Sequence, residues 1–341
     1  MERADVLLVS LGGTAGLREA DAELAGALRR AGARVAVAPA RPVREWRTMA
    51  AIELAWALAA RRAAAAAVRE WAPRSVLYSS TTAALLGPVP GAIRFDAPAA
   101  GNRPGRHGVW QRPVERRRFA AAPLLVPWSA GALAEAPRRH GPALVVAVPV
   151  APSGPLDGPR DLAAVTYGAN PHKKGLDRVI AAWHAARRES EELVVAGIGG
   201  SDEPGVRYAG MLPRAELRAL LRRARTFLAA PRREDHGIVQ LEALADGCAL
   251  VTAPAPGPYA ALPIARALDP RLVAADLPRA IRAALDAPSP GYAERAAEAL
   301  APLRPERVDA LVRDELLPRL LAISPSGRRN RRPPGDVTCA S

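Results

Sequence analysis

Short apolar runs alternate along the chain with Ala- and Leu-rich stretches of helical period. The first run, residues 5–10 (DVLLVS), ends in Leu11-Gly12-Gly13-Thr14 and leads into EADAELAGALRRAGARVAVAPA, whose apolar positions recur every three or four residues up to Gly32. That spacing predicts a strand, a Gly loop, an amphipathic helix and, over 34–38, a second strand. Residues 46–70 predict one or two Ala-rich helices. Residues 75–79 (SVLYS), 92–96, 124–126 and 144–148 predict further strands, because each is a short apolar run bounded by turn residues.

The pattern breaks twice. Residues 98–118 (PAAGNRPGRHGVWQRPVERRR) are dense in Gly, Pro and Arg, which predicts a loop over the first half. Residues 148–161 (VPVAPSGPLDGPRD) have the Pro and Gly density of an interdomain linker. Beyond them the alternation restarts. Strands are predicted at 163–167, 193–196, 206–208, 226–229 and 249–252, helices at 176–188, 213–225 and 237–245, and closing helical segments from about 276 to 321. A chain of 341 residues suits two domains. Alternating strands and helices predict a doubly wound parallel sheet in each. The expected organisation is α/β: a Rossmann-like domain over 1–150, a second Rossmann-like domain with closing helices over 151–323, and a basic disordered tail over 324–341.

Composition adds less than charge does. Hydrophobic residues make up 49% and aromatics 4%, so the core is expected to consist of Leu, Val, Ala and Ile. The two cysteines, Cys248 and Cys339, form no disulfide framework. Neither a signal segment nor a run of about 18 apolar residues is present, and the expected location is cytoplasmic. The net charge of +14 is almost all arginine, Lys173 and Lys174 being the only lysines, and it divides as +10 over 1–150, +1 over 151–323 and +3 over the tail. The excess on the first half suggests an anionic partner there, a phospholipid surface or a charged acceptor. The Arg- and Trp-bearing stretch 44–71 is the candidate for resting on the inner membrane face. Nucleic acid is not expected, because no interleaved aromatics accompany the arginines.

Candidate chemistry concentrates after the run TFLAA. Glu234 and Glu242 lie eight apart around Gly237-Ile238-Val239. A strand that ends in a polar turn and feeds a helix presents first-turn N–H groups at the carboxyl edge of the sheet, where phosphate binds. On their own, two glutamates so placed are better read as a capping acid and a solvated helix residue.

The surrounding order of segments changes that. The stretch AAPRREDHGIVQLEALADGCALVTAPAPGP, preceded by TYGANPHKKGLDRVIAAW, ELVVAGIGG and VRYAGMLPRAELRALLRRARTFLAAP, resembles the donor site of family-four retaining GT-B glycosyltransferases over 163–262. The first half resembles that family only in layout, with Gly12 and Gly13 after the first strand counted among the donor-binding residues. The resemblance implies transfer of a sugar from a nucleotide diphosphate donor, as co-substrate rather than cofactor, to an acceptor hydroxyl with retention of configuration. It assigns Glu234 to hydroxyls of the transferred sugar, Glu242 to the ribose, and the amides near Ile238 and Val239 to the distal phosphate. Lys174 would meet the diphosphate charge, and backbone near Met211 and Leu212 would flank the base.

This chain departs from that pattern at two places. Gly168 stands where many relatives carry an arginine, so one diphosphate contact is expected either to be missing or to come from Arg232 or Arg233. His236 occupies a position that is usually aromatic, as a space-filling ring or a reader of the sugar. For the first-domain residue facing the reaction centre, His107 is the candidate and Asp96 its rival. No Asp-x-Asp pair or Cys/His cluster is present to hold a metal, so metal-independent transfer is expected. The acceptor stays open, with anionic and lipid-linked molecules among the options. The alternatives are a nucleotide-sugar epimerase of the same architecture and a non-catalytic binding scaffold.

Overall fold

The structure, a computed structural model, describes residues 3–44 and 48–323. The basic tail over 324–341 and residues 45–47 of the Arg-bearing stretch lie outside them. The first sheet comprises β1 (Val6–Ser10), β2 (Val35–Pro39), β3 (Ser75–Tyr78), β4 (Ala92–Phe95) and β5 (Leu125–Pro127), in the order β2-β1-β3-β4-β5. All pairings are parallel, with Val6 opposite both Val35 and Ser75. Every residue of β1 is buried. Its continuous apolar run is thereby explained, since helices cover both faces of such a sheet. The helix Ala15–Arg30 begins where the Thr14 hydroxyl accepts the Leu17 N–H.

The second sheet repeats the design. β6 (Leu162–Tyr167), β7 (Leu193–Ala196), β8 (Val206–Gly210), β9 (Ala224–Ala229) and β10 (Ala249–Thr252) stand in the parallel order β10-β9-β6-β7-β8. The winding reverses between β1 and β3 in one sheet and between β6 and β9 in the other. In doubly wound sheets, the crevice at the carboxyl end of such a switch is where ligands bind.

Of the one or two helices expected over 46–70 the structure has one, Met49–Trp71. It differs from the sequence-based expectation at three places. Residues 144–148 make no strand; they run beside β5 with the Leu144 and Val146 N–H groups donating to Leu125 and Pro127, and Pro142 and Pro149, which lack an N–H, flank them and limit the ladder. The first half of 98–118, expected to be a loop, holds the short helix Ala99–Asn102 and a 3-10 turn at Gly105–Gly108, ahead of the helix Gln111–Ala121. Finally, the closing helices do not all stay with the second sheet. Val308, Val312, Leu316, Leu317 and Leu320 are buried in one cluster with Val6, Leu8, Leu24 and Leu77 of the first domain, and Arg30 is paired with Asp309 at 2.7 Å. Burying five such side chains contributes on the order of 10 kcal/mol. These helices therefore clamp onto the first domain.

Candidate active site

Above the β6/β9 switch a small pocket is lined by Thr166 and Tyr167 of β6, Leu228 and Ala229 of β9, Val239 and Gln240 of the next helix, and Lys174. That helix, Ile238–Ala245, starts at Gly237 with φ of 86°, where a Cβ would lie 3.0 Å from the Tyr259 ring. Glycine fits both the left-handed conformation and the close approach. First-turn N–H groups have no carbonyl within the helix, and the first-turn residues Val239 and Gln240 line the pocket. Lys174 closes the short turn Pro171–Lys174. The next residue, Gly175, has φ of 65°, and a Cβ there would fall 1.9 Å from the Ala230 carbonyl oxygen. The turn is thus pressed against the end of β9, and the Lys174 ammonium donates to Glu234 Oε2 at 2.6 Å while Gln240 Nε2 donates to the same oxygen at 2.8 Å. The structure brings Lys174 and Glu234 together beside the start of the helix that Gly237 opens. Sequence spacing gave no sign of Gln240.

Glu242, one turn further along, is buried and held by arginines. Arg214 donates to its Oε1 from Nε at 3.0 Å and Nη2 at 2.7 Å, and Arg218 Nη1 lies at 3.4 Å. Arg218 also donates to Asp246 and to the Ala151 carbonyl of the linker. These two arginines were missed, although their i, i+4 spacing on the helix Arg214–Arg223 was a readable signal.

The cations expected to replace the residue at Gly168 are occupied elsewhere. Arg232 makes a two-bond pair with Asp177 at 2.8 and 2.7 Å and donates to the His172 carbonyl. Arg233 is held between Asp235, at 2.8 Å, and Glu135 of the first domain, at 2.6 Å. At Gly168 itself a Cβ would meet Ile198 at 2.8 Å and Leu176 at 3.0 Å. Apolar side chains fill the place where a longer residue would start.

The first domain contributes a mixed face. The Gly12 backbone has φ of 61°, its carbonyl accepts from Arg18, and Gly13 lies against the Trp56 ring. His107 is exposed on the 3-10 turn, with nothing that directs it into the pocket. Asp96, directly after β4, lies near Asp235 and Lys173 of the second domain. Burial and the neighbouring Asp235 carboxylate raise its pKa against the pull of Lys173.

His236 is buried edge-on to Trp128, ring centroids 5.2 Å apart, and neither ring nitrogen has a partner. Burial, with Arg94 nearby, lowers its pKa to about 4. The imidazole is therefore neutral and fills space against Trp128, while Arg94 stacks on the other side of that indole at 4.6 Å. Leu17 and Ile238 pack on the same cluster, and Gly16 lies beside Ile238, so the helix Ile238–Ala245 touches the first-domain helix directly.

Residues 162–287 match the family model described as glycosyl transferases group 1. The fold as a whole matches solved structures over nearly its full length. Sucrose-phosphate synthase from Thermosynechococcus elongatus is 14% identical with a TM-score of 0.73, the alignment covering 93% of this chain and 98% of that one. The chain has the architecture of a GT-B glycosyltransferase. WaaG, a glycosyltransferase involved in lipopolysaccharide biosynthesis, is 16% identical with a TM-score of 0.64, over 90% of this chain and 99% of its own. An E. coli structure described as trehalose-6-phosphate bound with UDP-2-fluoro glucose is 11% identical with a TM-score of 0.66, over 94% and 99%. A comparison with curated protein sequences finds no match. Among the described residues, no helix is long and apolar enough to cross a membrane.

Proposed function

We propose that the protein transfers a sugar from a nucleotide diphosphate donor to an acceptor hydroxyl with retention of configuration and without a divalent cation. The observation that carries the reading is the set of Lys174, Glu234 and Gln240 at one end of the helix Ile238–Ala245, with Glu242 a turn away. The diphosphate lies over the first helical turn, Glu234 takes hydroxyls of the departing sugar, Glu242 takes the ribose, and backbone near Met211 and Leu212 flanks the base. As the bond from the anomeric carbon to the phosphate oxygen breaks, its electron pair passes to the diphosphate, whose charge Lys174 and the helix amides stabilise. The acceptor oxygen bonds to the anomeric carbon on the same face, and its proton goes to the departing phosphate oxygen. The acceptor is an anionic or lipid-linked molecule presented beside the basic first domain in the cytoplasm.

Support for a nucleotide-sugar donor comes from the family match over 162–287 and from the UDP-2-fluoro glucose in the E. coli structure. The test is a donor screen by mass spectrometry with EDTA present, followed by an NMR assignment of the anomeric configuration of the product. A binding scaffold is the second reading, favoured by the engagement of Arg232 and Arg233 in other pairs. Saturable donor binding with no turnover on any acceptor would support it.

A further inference from the structure

Arg214 stands at a junction that the donor reading does not use. One guanidinium donates two hydrogen bonds to Glu242 of the second domain and places Nη1 3.4 Å from Glu19 Oε2 on the first-domain helix Ala15–Arg30. Glu23, one turn further along that helix, adds to the field that raises the Arg214 pKa, in which Glu242 is the larger contributor and burial acts in the opposite direction. Tyr167, which lines the donor pocket, feels Glu19 and Glu242 together. The other cation on Glu242 differs in kind. Arg218 is buried and tied to Asp246 and to the linker carbonyl of Ala151, so it anchors Glu242 from within its own domain. Arg214 is more than a third exposed and spans the cleft.

We propose that Arg214 is a positioning residue that couples ribose recognition at Glu242 to closure of the cleft against the acidic face of Glu19 and Glu23. The inference rests on the donor reading of Glu242. When the two domains separate, the guanidinium keeps Glu242 and loses Glu19. When they approach, one side chain satisfies both, so a ribose hydroxyl that fixes Glu242 also fixes the group that receives the first domain. An exposed pair is worth little alone, and the coupling is correspondingly modest. It comes from sharing one planar, five-donor group between two carboxylates, a geometry that lysine does not reproduce.

The experiment uses the full chain and titration calorimetry with UDP, GDP and ADP, then the tightest of these against its 2′-deoxy analogue. Radius of gyration with and without the nucleotide is followed by small-angle scattering. Replacing both acids (Glu19→Gln with Glu23→Gln) is expected to weaken binding about two- to fivefold and to reduce nucleotide-induced contraction. In an Arg214→Ala background the same pair of changes is expected to have no effect. Arg214→Lys is expected to keep the fold, retain part of the contraction and lose most of the preference for the ribonucleotide. Independent effects that multiply in the combined variant, or an unchanged ribose preference in Arg214→Lys, would overturn the inference while leaving the donor reading intact. If the unaltered protein bound none of the nucleotides, the donor reading would fall and this inference with it.

Discussion

Replacing Lys174 by alanine isolates the charge on which the proposed chemistry depends. Its ammonium lies 2.6 Å from Glu234 Oε2 and is about one-fifth exposed, whereas Glu234 is almost wholly buried. A unit charge about 4 Å from a developing phosphate charge is worth about 4 kcal/mol at an effective dielectric constant near 20. Removing one preorganised donor from an active site typically costs about 2.7–4 kcal/mol. At about 1.4 kcal/mol per decade, turnover should fall roughly a hundred- to a thousandfold. Because the charge develops as the bond breaks, the loss should appear in kcat more than in nucleotide affinity. Glu234 would keep only the Gln240 amide on Oε2, so some loss of thermal stability is expected alongside. Steady-state release of nucleoside diphosphate measures turnover, and calorimetry with the product nucleotide measures binding. Lys173→Ala serves as the control, because that ammonium is committed to Asp235, and its turnover should fall less than about tenfold. A Lys174→Ala enzyme within about threefold of the unaltered kcat would refute the assignment.

Glu242→Ala should weaken nucleotide binding while Glu234→Ala mainly lowers kcat, as separate titration and turnover measurements would show. EDTA should leave turnover unchanged, and restoration by magnesium after a loss would contradict the metal-free reading. His236 has its folded pKa lowered to about 4, so it contributes stability that is fully present above its unfolded value near 6.5 and is lost as pH falls towards 4. About 2 kcal/mol of that contribution should be gone at pH 5, and His236→Phe should flatten the corresponding part of the melting-temperature profile. Burial raises Glu115 to about 7, with the opposite sign: stability is lost as pH rises through that value, so Glu115→Gln should gain more at pH 8 than at pH 5. Vesicles carrying anionic lipid should bind the full chain in a salt-dependent way. Arg62→Glu with Arg69→Glu, on the outward side of the helix Met49–Trp71, should abolish that binding.

Most strands of both sheets were legible because they are short, mainly apolar runs that a Gly, Pro or polar turn ends, even where an arginine interrupts them, as Arg94 does in β4. The carboxyl-edge cluster was legible for a related reason: Glu234, Gly237 and the first helical turn are adjacent in sequence, so their spacing is also their geometry. What failed was longer in range. Arg232 looked available beside Glu234, yet Asp177, a residue in a different helix, takes both of its outer nitrogens. The clamp of Val312 and Leu316 on the first domain depends on where a chain end goes after the second sheet is complete, which no local periodicity encodes. His107 drew attention as the lone histidine of its loop, whereas Asp96, directly after β4, lies near Asp235 and Lys173. The helical content of 98–118 was hidden by its glycines and prolines, several of which start or end the short helices.

The most direct measurement is titration of the full chain with a panel of nucleoside diphosphates, alongside the Glu242→Ala variant. One nucleotide should bind the unaltered protein saturably, and the variant, folded though less stable for the loss of a buried carboxylate, should bind it at least tenfold more weakly. A protein that binds none of the panel, or a variant that binds the same nucleotide equally well, would contradict the placement of a sugar-nucleotide donor above the β6/β9 switch.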